Sequence, residues 1–240
     1  KEVLFISRKQ DVQIFKKLFG TGNQLGMRFK YTFQAKPRGI PDAINVANKF
    51  IAKQPFVLAL ADNLFIGNSF QKTLKQVQSI KSGAAVLAVK TKYPSKSAVI
   101  DLGKKGKIKS IIEKPKKPKS NLTIPGLYFY DSESKTVVRK LKPSKRGELE
   151  IVDVHLDYLE KQQLKVFSLK KDIKWFDTGD AEEMLEASNY VHRYQKNKKT
   201  LVGSIELAAL KNGWISKNKF KLMISKYSNS QYKKNLQKFC

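Results

Sequence analysis

The chain has 240 residues, of which 41% are hydrophobic, and its formal net charge is +28. This hydrophobic content supports a packed core and excludes a disordered chain, and no apolar run reaches the ~18 residues that a membrane span needs. Only six of the 48 basic residues are arginines and the lysines are spread along the chain, which indicates a solvated surface rather than a specific nucleic-acid site. The single cysteine, Cys240, excludes a disulfide framework and favours the cytoplasm.

Short apolar runs alternate with amphipathic stretches over the first 90 residues. Strand and helix alternation at short intervals predicts an α/β fold with a mixed, mostly parallel sheet flanked by helices. The predicted elements are strands at Glu2–Ser7, Met27–Phe33, Phe56–Leu60 and Ala84–Val89, and helices at Asp11–Phe19, Ile40–Ile51 and Phe70–Ile80.

The pattern changes in the second half, where two strand-like segments flank the glycine-containing turn Gly103–Gly106 and the C-terminal part becomes helical. No linker is evident, so we predict one domain over residues 1–240, with residues 180–240 as a helical C-terminal part. The predicted elements are hairpin strands at Ser97–Leu102 and Ile108–Glu113, strands at Asn121–Tyr130 and Leu164–Leu169, and helices at Ser132–Leu141, Glu148–Gln162 and from Thr178 onward.

Acidic side chains follow two apolar segments that are far apart in the chain. Asp62 comes directly after the run Phe56–Leu60, and Asp177 follows an aromatic pair and precedes Thr178-Gly179. Ligands of open α/β sheets bind beyond the carboxyl ends of the strands, and two carboxylates with open water positions suit Mg²⁺. A turn or helix-capping role is the alternative for each aspartate. The spacing leaves both interpretations open.

Charged residues mark further turns. The segment Glu113–Pro115 places opposite charges side by side at a strand end, either as part of a site or as a surface ion pair of little energy. Arg146 precedes a predicted helix, where a basic side chain and free backbone N–H groups can hold a phosphate. The alternative is a solvated arginine with Glu148 and Glu150 favourably placed in the first turn. The loop Gln34–Gly39 ends in a glycine whose backbone can approach a flat ligand, or is an ordinary connection.

In chain order, these stretches resemble the sugar-1-phosphate nucleotidyltransferases, and most closely the glucose-1-phosphate thymidylyltransferases among them. Each stretch alone is a weak match, but together they run in family order over nearly the whole chain. The matching stretches are Gln10–Gly26, Gln34–Ala43, Leu58–Gly67, Glu113–Pro115, Lys119–Asn121, Pro125–Asp131, Leu141–Ile151, Trp175–Gly179 and Glu186–Asn189.

The resemblance implies a Rossmann-like nucleotidyltransferase fold and a Mg²⁺-dependent reaction that converts dTTP and glucose 1-phosphate into dTDP-glucose and pyrophosphate. It also implies a cytoplasmic homotetramer that supplies dTDP-rhamnose and polysaccharide synthesis, with subunit contacts in Ala181–Cys240 and with no membrane or specific nucleic-acid partner. By position, Asp62 and Asp177 match the metal-binding residues, and Arg146 matches a phosphate contact with a catalytic role.

The resemblance also implies a set of substrate-binding residues, which surround the thymine, the sugar and the phosphates. By matching position these are Gln34 and Gly39 for the thymine, Asn63 beside the nucleotide-sugar, Glu113 for sugar hydroxyls, Lys114 for phosphate, Ala98 and Ile124 at the sugar pocket, and Tyr128 and Trp175 as further sugar and phosphate contacts.

The sequence departs from the family pattern in three places. The family's G-x-G-T-R loop and the strand before it have no counterpart in these 240 residues, so we expect residues missing upstream and an exposed sheet edge. Ala61 stands where the family has a glycine before the metal-binding aspartate, and Ala98 stands where a glycine lets the sugar approach. The alternative hypotheses are therefore a catalytically inactive sugar-nucleotide binding or regulatory remnant and, less compatible with the lysine distribution, a basic nucleic-acid binder.

Overall fold

The computed structural model describes the backbone of residues 1–240 and every side chain except that of Lys105. None of the described helices is both long and apolar enough to cross a membrane. The strands are β1 (Glu2–Ser7), β2 (Arg28–Phe33), β3 (Phe56–Ala59), β4 (Asn63–Ile66), β5 (Ala84–Lys90), β6 (Val99–Leu102), β7 (Ile108–Ile112), β8 (Leu122–Thr123), β9 (Leu127–Tyr130), β10 (Leu164–Ser168) and β11 (Lys174–Asp177). The helices are α1 (Val12–Phe19), α2 (Ile40–Val46), α3 (Asn48–Ile51), α4 (Phe70–Gln78), α5 (Ser134–Lys140), α6 (Ile151–Glu160), α7 (Ala181–Lys198), α8 (Ile205–Lys211), α9 (Lys217–Ser225) and α10 (Gln231–Gln237).

The predicted strands and helices of the first 90 residues are all confirmed within a few residues. The helix predicted over Ile40–Ile51 divides at Ala47 into α2 and α3, and the strand predicted over Asn121–Tyr130 is interrupted between β8 and β9. Helices α7 to α10 lie in the C-terminal part of the chain. Strand β4 was not predicted, because it is a short apolar segment beside a polar turn.

The chain divides into two compact units, and the first comprises residues 1–35 and 189–240. In it β1 and β2 pair in parallel, and the ring of Phe5 stacks on that of Phe19 from α1 at a centroid distance of 5.1 Å. A second apolar cluster joins the C-terminal helices, with Phe220 and Leu236 fully buried against Leu25. Burial of these aromatic and aliphatic side chains is the main stabilisation of this unit.

The second unit comprises residues 36–188, and its main sheet has the order β3-β9-β5-β8-β6-β7, with β10 joined to β5. Only the β10–β5 pairing in this sheet is parallel, and the other recorded pairings are antiparallel. The α/β class is correct, but the mostly parallel sheet was wrong. The reason is that β9 inserts between β3 and β5 and runs antiparallel to both, and the β6–β7 hairpin extends the sheet further.

Strand β3 ends the strand order of the main sheet and pairs only with β9 among the described strands. Its Val57 is 46% exposed. Beyond β3 the chain turns through Asp62 into β4, which pairs with β11 in a separate two-stranded sheet. This small sheet brings together two segments that lie far apart in the sequence.

Candidate functional site

The antiparallel pairing of β4 with β11 brings Asp62 and Asp177 together. Asn63 lies opposite Asp177 in the register, and both the amide N–H and the hydroxyl of Thr178 donate to the Asp62 carbonyl oxygen at 2.8 Å. A Cβ atom on Gly179 would lie 3.3 Å from Asp177 Oδ1 and 3.6 Å from Asp62 Oδ2. The two carboxylate oxygens therefore lie on the same side of Gly179, no further apart than the sum of those distances.

Helix α7 obtains its N-terminal cap from Asp180 rather than from Asp177 or Thr178. The Asp180 Oδ1 atom accepts hydrogen bonds from the backbone N–H groups of Glu182 at 3.0 Å and Glu183 at 3.3 Å. Lys96 contacts the other Asp180 oxygen at 2.9 Å, and this hydrogen bond lowers the pKa of Asp180. Asp177 Oδ1 accepts from Gly179 N at 3.2 Å within the turn. The helix-capping alternative for Asp177 is therefore excluded, while a local turn contact remains.

The carboxylate pair fits a hard divalent cation that retains open coordination positions. Among the described side chains, no group of three or more histidine, cysteine or acidic residues converges as a complete protein cage. Mg²⁺ is commonly bound through one or two carboxylates, with water and substrate phosphates as its remaining ligands. The two oxygens beside Gly179 match that donor set.

The side chain of Asn63 connects three segments of the second unit. Its Oδ1 atom accepts from Gly126 N at 2.8 Å and from Trp175 Nε1 at 2.7 Å, and its Nδ2 atom donates to Asp62 Oδ1 at 2.8 Å. A Cβ atom on Gly126 would lie 2.8 Å from Asn63 Nδ2, so a glycine is needed for this close approach. The predicted substrate contacts Asn63 and Trp175 are thus hydrogen-bonded to each other.

Tyr128 on β9 interacts electrostatically with Asp62 and Asp177 and also with Glu113. The residue is only 4% exposed, and burial raises the pKa of its phenol well above the ordinary value. The carboxylates of Glu113, Asp62 and Asp177 raise this pKa further, because each disfavours a nearby phenolate. The phenol therefore stays protonated beside three predicted site carboxylates and can donate a hydrogen bond.

Arg146 and Glu113 lie close together, but Arg146 has a stronger partner than we predicted. Arg146 Nη2 is 3.8 Å from Glu113 Oε1, whereas Glu150 accepts from Arg146 Nε at 3.1 Å and from Nη2 at 2.7 Å. Ser144 Oγ donates to the same Glu150 carboxylate at 2.6 Å. Burial raises the pKa of Glu113, and Lys114 opposes that rise. Arg146, the predicted phosphate-binding residue, is thus held by the carboxylate of Glu150.

Ala98, just before β6, and Ile124, just after β8, are neighbours. The Ala98 carbonyl oxygen accepts from Ile124 N at 2.9 Å and from Thr123 Oγ1 at 2.8 Å, and Ala98 and Ile124 are both buried. The predicted thymine-binding residues Gln34 and Gly39 lie in different units, Gln34 at the end of β2 with its backbone N–H donating to Ser7 O at 3.0 Å. Their shared role stays a prediction.

Gly39 has a structural requirement of its own. Its φ is +98°, and a Cβ atom there would lie 2.2 Å from the carbonyl oxygen of Leu149. Leu149 N also donates to Arg38 O at 2.8 Å, so the loop before α2 is fastened to the segment that carries Arg146. The absence of a side chain at Gly39 therefore allows the backbone of Leu149 to approach it closely.

We expect Gly39→Ala to destabilise the protein by about 3 kcal/mol, since it combines an unfavourable φ with a backbone clash. Gly147→Ala is the matched control, because Gly147 has φ +77° but nothing within 4 Å of its Cβ position, so it should cost only about 1 kcal/mol. Urea unfolding of both variants measures the difference. Equal losses would show that the Leu149 contact relaxes freely.

Several residues at the site were not assigned from the sequence. Gly179 lies beside both aspartates, Gly126 contacts Asn63, and Ser144 and Glu150 hold Arg146. The opposite charges of Arg146 and Glu150, close together in the sequence before α6, were the available signal for an ion pair. Gly126 and Gly179 contact residues that the strand pairing brings close, so no local sequence pattern predicts these contacts.

Comparison with known proteins gives matches over most of the chain. A family model described as nucleotidyl transferase matches residues 1–194. The glucose-1-phosphate thymidylyltransferase of Neisseria meningitidis is 36% identical over 232 residues, covering 97% of this chain and 81% of that protein. The protein of the same name from Mycobacterium tuberculosis is 36% identical over 215 residues, covering 90% and 74%.

Solved structures show the same similarity. A protein described as a glucose-1-phosphate thymidylyltransferase of Bacillus anthracis, in complex with sucrose, has a TM-score of 0.71 and 31% identity, covering 78% of this chain and 74% of that chain. A UDP-glucose pyrophosphorylase complexed with UDP-glucose has a TM-score of 0.68 at 23% identity, covering 80% and 81%. The second match concerns the fold alone, which is the Rossmann-like nucleotidyltransferase fold.

Proposed function

The chain belongs to the nucleotidyl transferase family, and we propose that it joins dTTP and glucose 1-phosphate to give dTDP-glucose and pyrophosphate. The observation that carries this proposal is the β4–β11 pairing, which brings Asp62 and Asp177 to one side of Gly179. The choice of substrates is supported by relatives named glucose-1-phosphate thymidylyltransferase, which match at 36% identity.

The proposed reaction is an in-line displacement at phosphorus. A phosphate oxygen of glucose 1-phosphate forms a bond to the α-phosphorus of dTTP, and the bond from that phosphorus to the bridging oxygen breaks as pyrophosphate leaves. Catalysis of such reactions depends mainly on positioning and on neutralising phosphate charge. Asp62 and Asp177 would hold a divalent ion, Mg²⁺ in our proposal, which when bound would neutralise charge on the phosphate oxygens.

Glu113, Lys114 and Arg146 form the proposed sugar-phosphate contacts. Arg146 lies 3.8 Å from Glu113, so a cation for phosphate and an acceptor for sugar hydroxyls are neighbours. Lys114 has a φ of +40°, which is rare for a residue with a side chain and costs of order 1 kcal/mol. Such strain is often kept at ligand sites, which supports a phosphate-binding role for Lys114.

The remaining proposed contacts surround the sugar and the thymine. Ala98 and Ile124, which are joined by a backbone hydrogen bond, would line the sugar pocket, with the protonated phenol of Tyr128 as a hydrogen-bond donor. Gln34 and Gly39 would read the thymine base. The Ala98 methyl group would narrow the sugar pocket relative to a glycine.

The direct test is product formation by the protein with dTTP, glucose 1-phosphate and Mg²⁺. We expect dTDP-glucose by anion-exchange chromatography and one pyrophosphate per product molecule, and no product when the metal is chelated. Parallel reactions with UTP and with galactose 1-phosphate test the choice of each substrate. Tight binding of dTDP-glucose without any turnover would contradict the proposal and would indicate a sugar-nucleotide binding protein.

We also propose a homotetramer located in the cytoplasm. Its subunit contacts would include the C-terminal helices, where Met184 and Leu185 on α7 are 56% and 64% exposed and Leu222 on α9 is 61% exposed. Apolar side chains of this size at the surface are typical of interaction sites when they form a patch. A monomeric mass in light scattering would contradict the tetramer.

A further inference from the structure

The orientation of the Asn63 carboxamide is fixed by its partners. Two N–H donors, from Gly126 and from the Trp175 indole, converge on Oδ1 at 2.8 and 2.7 Å. A carbonyl oxygen has two acceptor sites, and both are used here. The amide nitrogen must therefore face the other way, where it donates to Asp62 Oδ1 at 2.8 Å.

This contact determines which oxygen of Asp62 lies near Gly179. The terminal torsion of an aspartate side chain is broad and does not define the carboxylate plane by itself. The hydrogen bond from Asn63 holds Oδ1, while Oδ2 lies 3.6 Å from the Cβ position of Gly179, beside Asp177 Oδ1. The Asp62 oxygen that lies near the Cβ position of Gly179, which Asp177 Oδ1 also approaches, is thus the one that Asn63 leaves available.

We propose that Asn63 and Trp175 are positioning residues that act on the metal site through Asp62, rather than contacts that read the sugar. The indole has a single N–H donor, and Asn63 accepts it, so this polar atom is already used. The Trp175–Asn63–Asp62 chain resembles the outer contacts that orient ligands in other metal sites. The inference rests on the proposed function, because it takes Asp62 as a metal ligand.

The expected effect is on the metal dependence of ligand binding. Loss of such outer hydrogen bonds typically lowers metal affinity about 10- to 100-fold. Asn63→Ala removes the donor to Asp62 and should raise the Mg²⁺ concentration for half-maximal dTDP-glucose binding about 10-fold. Trp175→Phe keeps an aromatic ring and removes only the N–H, so its shift should have the same direction and a smaller size, about 3-fold.

The experiment is calorimetric titration of the protein with dTDP-glucose over a series of Mg²⁺ concentrations, which requires no turnover. Positioning predicts that both variants reach the wild-type dTDP-glucose affinity once Mg²⁺ is saturating. The control is Asn229→Ala, an exposed asparagine of the first unit, which should leave the Mg²⁺ dependence unchanged. Trp175→Phe keeps the test decisive if Asn63→Ala fails to fold.

Two results would overturn the inference. A weakened affinity that persists at saturating Mg²⁺ would mean that Asn63 and Trp175 contact the ligand directly. Wild-type Mg²⁺ dependence in both variants would mean that the hydrogen bonds to Asp62 have no role in orienting it. Failure of the proposed function is distinguishable, since the unmodified protein would then form no dTDP-glucose from dTTP and glucose 1-phosphate, a result that is independent of how the variants change the Mg²⁺ dependence of dTDP-glucose binding.

Discussion

Asp62→Asn and Asp177→Asn should each lower turnover at least about 100-fold, because each removes a metal-binding charge at the reacting phosphates. Asparagine has nearly the same shape as aspartate and can still accept the local hydrogen bonds from Asn63 and from Gly179 N. The change is therefore mainly one of charge. The same variants should weaken Mg²⁺-dependent dTDP-glucose binding, which calorimetry measures independently of turnover.

The control for these two variants is Asp157→Asn. Asp157 lies on α6 and contacts Lys161 at 2.6 Å, as a partly exposed pair within one helix. Surface pairs of this kind contribute little to stability, so turnover and binding should stay within about twofold of the unmodified protein. If both site variants bind dTDP-glucose as the unmodified protein does at every Mg²⁺ concentration, the metal assignment is wrong.

The fold was predictable where a short apolar run is bounded by glycine or polar residues. Strand β1 and helix α1 are such cases, since Glu2–Ser7 is apolar and Gly20 ends the helix with a φ of +61°. Strand direction was not predictable in the same way. Alternating strands and helices favour parallel pairing, but the antiparallel insertion of β9 depends on contacts between distant segments.

The candidate site was predictable as a set of residues but not as an arrangement. Asp62 and Asp177 were identified by their positions beside apolar segments and by resemblance, whereas their approach depends on the β4–β11 register. The phosphate-binding role of Arg146 was inferred from its charge and position, and it stays a prediction. Its bonding to Glu150 was missed, because we assigned the helix-start glutamates only a favourable interaction with the helix dipole.

The second large expected effect is on the pH dependence of stability, and it comes from a buried imidazole next to Tyr128. His155 on α6 is fully buried, with Nδ1 3.0 Å from the Tyr130 hydroxyl and its ring 5.3 Å from that of Tyr128. Its Nε2 atom has no hydrogen-bond partner among the described atoms. Burial lowers the pKa of His155 from 6.5 to about 3, because a charged imidazole would lose its hydration there.

We expect His155 to make the protein lose stability as the pH falls from about 6.5 to about 3. In this window the unfolded chain binds a proton at His155 and the folded protein does not, so unfolding takes up a proton and acid favours it. One pKa unit corresponds to about 1.4 kcal/mol, so the full loss from this residue is roughly 5 kcal/mol at pH 3. The contribution is fully present above the ordinary pKa of 6.5.

The His155→Asn variant isolates this effect, because asparagine keeps a polar atom near the Tyr130 hydroxyl but does not titrate. Urea unfolding at pH 7, 6, 5 and 4 should give a free energy of unfolding that falls less steeply in the variant, by about 1.4 kcal/mol per pH unit below 6. The comparison uses the slope of the unfolding free energy against pH, so any loss of stability from the substitution that does not depend on pH cancels. Equal slopes for His155→Asn and the unmodified protein would mean that the buried imidazole is protonated in the folded state as readily as in the unfolded chain.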